Sequence, residues 1–181
     1  EDYGIQWKHS DDRGGASEVR RSRRLVISSI FTVGNYDYGL FWYLYLDGTI
    51  QMEVKLTGIM GISAITEETY NPLQAPKVAN NLAAPLHHHL FCFRLDWELD
   101  GKENQLFETE IQLLPVSENN PNGTQFSSIA NHLTKESDAK REISPETSRV
   151  WKVVNPNKKN SLGIPVAYKL LPGATPKLFS N

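Results

Sequence analysis

Residues 39–58, GLFWYLYLDGTIQMEVKLTG, decide the fold because they have the pattern of a β-hairpin. Aromatic and aliphatic residues dominate the first half, as is typical of a strand. Asp47-Gly48 then forms a strong turn signal between two antiparallel strands. In the second half, apolar residues from Ile50 to Leu56 alternate with polar residues at a period of two. This alternation predicts a second strand with one apolar face.

The same turn predicts how the two strands pair. A two-residue loop would place Tyr45, Tyr43 and Phe41 on the face that carries Ile50 and Met52. The opposite face of the first strand is apolar as well. Because a strand with two apolar faces is covered on both sides, we expect it to lie inside a thick, layered domain.

Most of the remaining chain predicts further strands rather than helices. Strand-like patterns occupy residues 23–33, 87–101, 104–116, 149–156 and 164–173. Residues 131–143 predict one or two helical turns, and residues 57–86 predict a long loop or arm with little regular structure. The chain is therefore predicted to be all-β, with antiparallel sheets packed as a β-sandwich.

Size and composition exclude several classes of protein. The 181 residues suffice for one domain, and 39% apolar with 22% charged residues is an ordinary globular composition. A net charge of -2 argues against binding to nucleic acid through bulk electrostatics, and no apolar run is long enough to span a bilayer. Cys92 is the single cysteine, so no disulfide within the chain is expected.

The histidine run 87–89 carries the clearest chemical signal. Residues two apart in a strand point to the same side, so His87 and His89 would face one way together. Two neutral imidazoles on a strand suit copper or zinc as part of a three-histidine site. The alternative is a surface histidine run without a metal. His9 and His132, the other two histidines, have no context that marks them as a third ligand.

Alternating acidic residues suggest a second, harder cation site. Asp96, Glu98 and Asp100 lie two apart, and carboxylate oxygens are ligands for calcium. The alternative is a solvated strand end before the Asp100-Gly101 turn.

The stretch TVGNYDYG, residues 32–39, interrupts a predicted strand with a turn that carries two tyrosines. By itself it indicates either an ordinary turn or a tyrosine that is chemically modified beside a metal. Together with WYLYLDGTI and HHHLFCFRLD, it resembles the catalytic domain of the copper-containing amine oxidases, most like fungal or bacterial members. The gap of 51 residues between Tyr36 and His87 suits that family, and the resemblance covers nearly the whole chain.

The resemblance implies a set of site residues. Tyr36 would be the precursor of topaquinone, the quinone cofactor, and His87 and His89 would bind copper(II). Asn35 would constrain the ring, Asp37 is the acidic member of the motif, and Thr32 lies nearby. A peripheral site for calcium or another divalent ion would use the residues at three consecutive positions, Asp96, Trp97 and Glu98.

The implied activity is oxidation of primary amines by dioxygen to an aldehyde, with release of ammonia and hydrogen peroxide. Residues 1–181 would be the N-terminal portion of the copper and quinone domain, with the third copper histidine and the catalytic base outside them. The isolated chain is then expected to be inactive, and the full protein to be a homodimer with residues 57–86 as a candidate dimer contact. For a fungal member, the resemblance implies a secreted or peroxisomal location.

The alternative to an enzyme is a non-catalytic fragment or degenerate homologue, a metal-binding β-sandwich with a structural or assembly role. A zinc-binding adhesion module is a third interpretation, but it gives no reason for the GNYDYG stretch. Only the first interpretation predicts a cofactor that reacts with carbonyl reagents such as phenylhydrazine.

Overall fold

The structure is a computed structural model that describes residues 1–173. The chain divides into two compact units, Glu1–Leu90 and a second that begins at Phe91. Within the described residues all strand pairs are antiparallel, and the helical structure amounts to one short 3-10 turn, η1 (Glu136–Ala139). The predicted all-β, antiparallel class is therefore confirmed. None of the helical structure in residues 1–173 has the length and apolarity to cross a membrane.

A four-stranded sheet forms most of the first unit. Its strands are β1 (Asp2–Ser10), β2 (Ser17–Val33), β3 (Tyr36–Tyr45) and β4 (Ile50–Gly58), hydrogen-bonded in the order β1-β2-β3-β4. β3 is therefore paired along both edges. β1 lies in a polar segment whose composition gave no strand signal, so its existence depends on the partner that β2 offers.

The hairpin between β3 and β4 has a three-residue loop, not the predicted two-residue turn. The Tyr45 amide donates to the Thr49 carbonyl at 2.9 Å, and the Gly48 amide donates to the Tyr45 carbonyl at 3.1 Å. Gly48 has a φ of +84°, whereas Asp47 keeps a negative φ. A two-residue type I′ turn would need positive φ at both central residues, while a three-residue loop needs one left-handed glycine.

The additional loop residue shifts the strand pairing by one, so the predicted grouping of side chains on this sheet is wrong. Leu44 lies opposite Ile50 and Trp42 opposite Met52, and these apolar residues share one face. The other face carries Tyr43, which lies opposite Gln51. Because successive side chains of a strand point to opposite faces of the sheet, a shift of one residue in the pairing exchanges the two faces.

Arg24 organises the face that carries Tyr43. Its guanidinium lies 3.7 Å from the ring centroid of Tyr43 and 4.0 Å from that of Tyr3. It also donates to the Tyr45 hydroxyl at 2.9 Å and forms an ion pair with Glu1 at 2.8 Å. Arg24, on β2, thus stabilises the sheet through cation–π contacts with the tyrosines of both neighbouring strands and through its ion pair with Glu1.

Residues 57–86 contain more regular structure than the sequence predicted. The three short strands β5 (Ser63–Ala64), β6 (Lys77–Ala79) and β7 (Leu82–Ala83) form a small sheet in the order β5-β7-β6. The amides of Ala84 and Leu86 donate hydrogen bonds to the carbonyls of Pro76 and Gln74, so the two ends of this segment lie side by side. Strands of two or three residues are too short to show a period, which is why the pattern suggested a loop.

The second unit contains another four-stranded sheet. Its strands are β8 (Gln105–Leu113), β9 (Phe126–Leu133), β10 (Val150–Lys159) and β11 (Pro165–Leu170), in the order β11-β10-β8-β9. β8, β10 and β11 were predicted, and η1 supplies the predicted helical turn. β9 was not predicted, because its sequence shows no apolar period of two, and its last residues, 131–133, had been assigned to the helical turns.

A buried carboxylate lies at the centre of this second sheet. Glu108 is 1% exposed, and its Oε2 lies 3.1 Å from Nε of Arg141 and 3.4 Å from Nε of Arg149. Arg149 also pairs with Glu110 at 2.6 Å and lowers the pKa of that carboxyl group through this hydrogen bond. Two guanidinium groups therefore compensate the charge of a carboxylate that water does not reach.

The predicted strand over residues 87–101 is not present in the described structure. Between Ala83, where β7 ends, and Gln105, where β8 begins, the chain forms no strand. A strand requires a neighbouring strand with which to pair, and none of the strands in residues 1–173 pairs with this stretch. The alternation of apolar with polar and charged residues in this stretch was therefore not sufficient to predict a strand.

We expect Gly48→Ala to lower the free energy of unfolding by about 1 kcal/mol, because a Cβ atom disfavours the left-handed conformation. Gly48→Asn should cost less, since asparagine tolerates this conformation better than alanine. Equilibrium chemical denaturation of the full-length protein measures both effects. An equal cost for the two variants would contradict the loop geometry.

Candidate active site

Tyr36 begins β3 directly after a tight two-residue turn. Val33 pairs with Tyr36 across the turn, and Gly34 has a φ of +64° while Asn35 does not have a positive φ. A hairpin turn with glycine at its first central position is the type II′ arrangement. The Gly-Asn pair therefore lets β2 reverse into β3 and places Tyr36 at the end of the ladder.

Asn35 is held by the chain that follows β4. Its side-chain amide donates to the Ile59 carbonyl at 2.6 Å, and the Ile59 amide donates to the Asn35 carbonyl at 2.7 Å. This close approach depends on Gly58, which has a φ of +104°. A Cβ there would lie 2.6 Å from the Asn35 carbonyl oxygen and 2.7 Å from Cα of Tyr36.

Thr32 and Asp37 contact each other rather than the ring of Tyr36. They are cross-strand partners, and the Thr32 hydroxyl donates to Oδ1 of Asp37 at 2.6 Å. The Thr57 hydroxyl donates to the Asp37 carbonyl at 3.1 Å. The polar residues beside Tyr36 thus tie β2, β3 and β4 together where the turn begins.

The hydroxyl of Tyr36 lies between His87 and Gly61. Its oxygen is 3.0 Å from Nε2 of His87 and accepts a hydrogen bond from the Gly61 amide at 3.1 Å. Nδ1 of His87 lies 2.8 Å from the carbonyl of Pro85. Because a carbonyl can only accept, Nδ1 carries the hydrogen of the neutral ring and Nε2 accepts from the Tyr36 hydroxyl.

Tyr38 makes the corresponding contact with the second histidine. Its hydroxyl lies 2.8 Å from Nδ1 of His89, which leaves Nε2 of His89 as the nitrogen available for a metal. The ring centroids of His87 and His89 are 4.7 Å apart, and that of His89 is 4.9 Å from Tyr36. The two imidazoles therefore lie side by side, as predicted, although this segment is not a strand.

These side chains line an open pocket of about 330 Å³. Its lining consists of Tyr36, Tyr38, Leu56, Thr57, Gly58, Ile59, Met60, His87 and His89. The donor set fits a copper ion, because neutral imidazole is a preferred ligand and the hydrogen bond to Pro85 fixes which nitrogen of His87 is basic. Tyr38, Gly61 and the other residues after β4 were not predicted as site residues, although the second tyrosine of the NYDY stretch was a visible signal for Tyr38.

The residues proposed for the second metal lie apart from any larger cluster. Asp96 and Glu98 are exposed, and the ring of Trp97 packs 5.6 Å from that of Tyr168. Within residues 1–173, no three or more histidine, cysteine, aspartate or glutamate side chains are grouped so as to hold a metal ion. Asp96 and Glu98 therefore have no third acidic partner in the described part of the chain.

Comparison with known proteins identifies the family. A sequence model of the copper amine oxidase enzyme domain matches residues 1–181. The chain is 47% identical over 178 residues to histamine oxidase of Arthrobacter globiformis, covering 98% of this chain and 26% of that protein. It is 37% identical over 187 residues to copper amine oxidase 1 of Schizosaccharomyces pombe, covering 100% of this chain and 26% of that protein.

A solved structure agrees with these relatives. The copper-containing benzylamine oxidase from Hansenula polymorpha matches with a TM-score of 0.89 and 29% identity, covering 100% of this chain and 28% of that one. The chain therefore belongs to the copper amine oxidase family, and the expected likeness to bacterial and fungal members is confirmed. It spans about a quarter of the length of these relatives.

We expect His87 of the metal-free protein to carry its hydrogen on Nδ1, because the Pro85 carbonyl can only accept. A long-range ¹H–¹⁵N correlation spectrum of histidine-labelled protein distinguishes the two neutral forms, and loss of one signal set in His87→Gln assigns the residue. Protonation at Nε2 in the neutral ring would contradict the arrangement.

Proposed function

We propose that the full-length protein is a primary-amine oxidase in which Tyr36 is the topaquinone precursor and His87 and His89 bind copper(II). The observation that carries this proposal is the 3.0 Å contact between the Tyr36 hydroxyl and Nε2 of His87. The ring centroid of His89 lies 4.7 Å from that of His87. The family supports oxidation of amines, and the contact places a phenol beside the two imidazoles. Copper and quinone together would supply the redox chemistry by which an amine, dioxygen and water give an aldehyde, ammonia and hydrogen peroxide.

The residues around Tyr36 would hold its ring for this chemistry. The Gly61 amide fixes the hydroxyl oxygen, and the anchored side chain of Asn35 limits movement of the turn. Thr32 and Asp37 hold the backbone of β2 and β3 in register beside the ring. A precursor that is fixed at its hydroxyl and at both flanking residues keeps one position relative to the imidazoles, which is the preorganisation that catalysis requires.

Room at the hydroxyl depends on Gly61. A Cβ at this position would lie 2.9 Å from the Tyr36 hydroxyl oxygen, closer than ordinary packing allows. Glycine therefore permits the main chain to approach the ring and donate its hydrogen bond.

The proposal extends to partners outside the described residues. A third copper ligand and the catalytic base would come from segments of the full-length protein beyond these 181 residues.

Ile59, Met60 and Ile62 are exposed, and burial of such apolar side chains would suit a homodimer contact through residues 57–86.

Asp96 and Glu98, with the carbonyl of Trp97, would form the peripheral site for calcium or another divalent ion.

The second candidate function is a non-catalytic, metal-binding segment with a structural role. It is favoured by one observation, namely that residues 1–173 group two imidazoles but no third metal-binding side chain. The two functions differ in whether Tyr36 becomes a carbonyl compound, and that difference can be measured directly.

Phenylhydrazine titration of the copper-loaded, full-length protein tests the proposal. We expect a visible absorption band at a stoichiometry of about one per chain, and an adduct on the peptide that contains Tyr36 in mass analysis. Tyr36→Phe should abolish both signals and retain bound copper, because the imidazoles remain.

Tyr45→Phe is the matched control, since it removes a hydroxyl from the opposite face of the same strand. An unmodified Tyr36 in protein that has bound copper and been exposed to oxygen would contradict the enzyme and support the structural alternative.

A further inference from the structure

The second tyrosine of the NYDY stretch has a contact that the site assignment does not use. Tyr36 and Tyr38 lie two apart on β3 and therefore share a face. Each hydroxyl meets the histidine 51 residues further along the chain, Tyr36 at His87 and Tyr38 at His89. The two contacts differ chemically, because Tyr36 reaches Nε2 of its histidine and Tyr38 reaches Nδ1.

We propose that Tyr38 is a positioning residue for copper, which acts by fixing the imidazole of His89. Its hydroxyl lies 2.8 Å from Nδ1 of that ring, so that Nε2 remains to bind the metal. The inference rests on the proposed function, since it presupposes that His89 is a copper ligand.

A metal-binding imidazole is oriented by the partner of its other nitrogen. For His87 that partner is the Pro85 carbonyl, a main-chain group two residues away. For His89 it is a side chain from a different part of the unit. A tyrosine hydroxyl can donate or accept, so it can donate to bare Nδ1 in the metal-free ring and accept from Nδ1–H when Nε2 binds a metal. Tyr38 is thus compatible with both states of His89.

The position of Tyr38 is set by the sheet, whereas that of His89 is not. Tyr38 lies opposite Phe31 on β2 and opposite Leu56 on β4, so it stands on a strand that is flanked by a ladder on each side. His89 lies in the segment that forms no strand in the described structure. The hydroxyl of Tyr38 therefore links an imidazole on a segment outside the sheets to a strand that is paired on both edges. Without it, the rotation of that ring would be less restricted.

We expect Tyr38→Phe in the metal-free, full-length protein to weaken Cu(II) binding about 10-fold, in line with the effect of removing a partner of a metal-binding histidine. Competition with a chelator of known affinity measures the change. The electron paramagnetic resonance spectrum of the Cu(II) complex should shift in its parallel hyperfine splitting, because the ligand field changes when the ring reorients. The variant keeps the aromatic ring and so preserves its packing.

Two controls separate the possible failures. Tyr45→Phe removes a hydroxyl from the same strand and should leave both affinity and spectrum unchanged. His87→Gln should weaken binding if the copper site is correctly assigned, and an unchanged affinity would overturn the proposed function and this inference together. If His87→Gln weakens binding while Tyr38→Phe matches the wild type in affinity and spectrum, the role of Tyr38 alone is overturned.

Discussion

Hydrogen bonding of β3 along both of its edges is the constraint on which the rest of the first unit depends. This strand carries Tyr36 and Tyr38, and its register with β2 and β4 decides which face each side chain occupies. A shift of one residue would turn both hydroxyl groups away from His87 and His89. The type II′ turn at one end and the glycine-containing loop at the other specify this register, since each permits only one backbone path.

Polar contacts position the residues around β3 in addition to the strand ladders. Examples are the two hydrogen bonds between Asn35 and Ile59 and the hydrogen bond between Thr32 and Asp37. Such contacts are directional, so they place individual atoms with more precision than non-directional apolar burial.

The site also illustrates how main-chain groups select the form of a side chain. The Pro85 carbonyl determines the hydrogen position on His87, and the Gly61 amide holds the oxygen of Tyr36. Both interactions use main-chain atoms, although residue 61 must be glycine because a Cβ there would crowd the Tyr36 hydroxyl. The residue types in the sequence therefore point to Tyr36 and His87, but not to the main-chain groups that orient them.

The sequence by itself determined the all-β class, most strands, the pairing of His87 with His89, and the likeness to the copper amine oxidases. These features depend on local period and residue type, which are visible in the chain. The tertiary structure alone decided the three-residue loop, the existence of β1 and β9, and the absence of a strand over residues 87–101. Each of these depends on whether a partner strand takes up the backbone hydrogen bonds, and that is a property of the folded chain. The contact of Tyr38 with His89 belongs to the same group, because it joins residues that only the fold brings together.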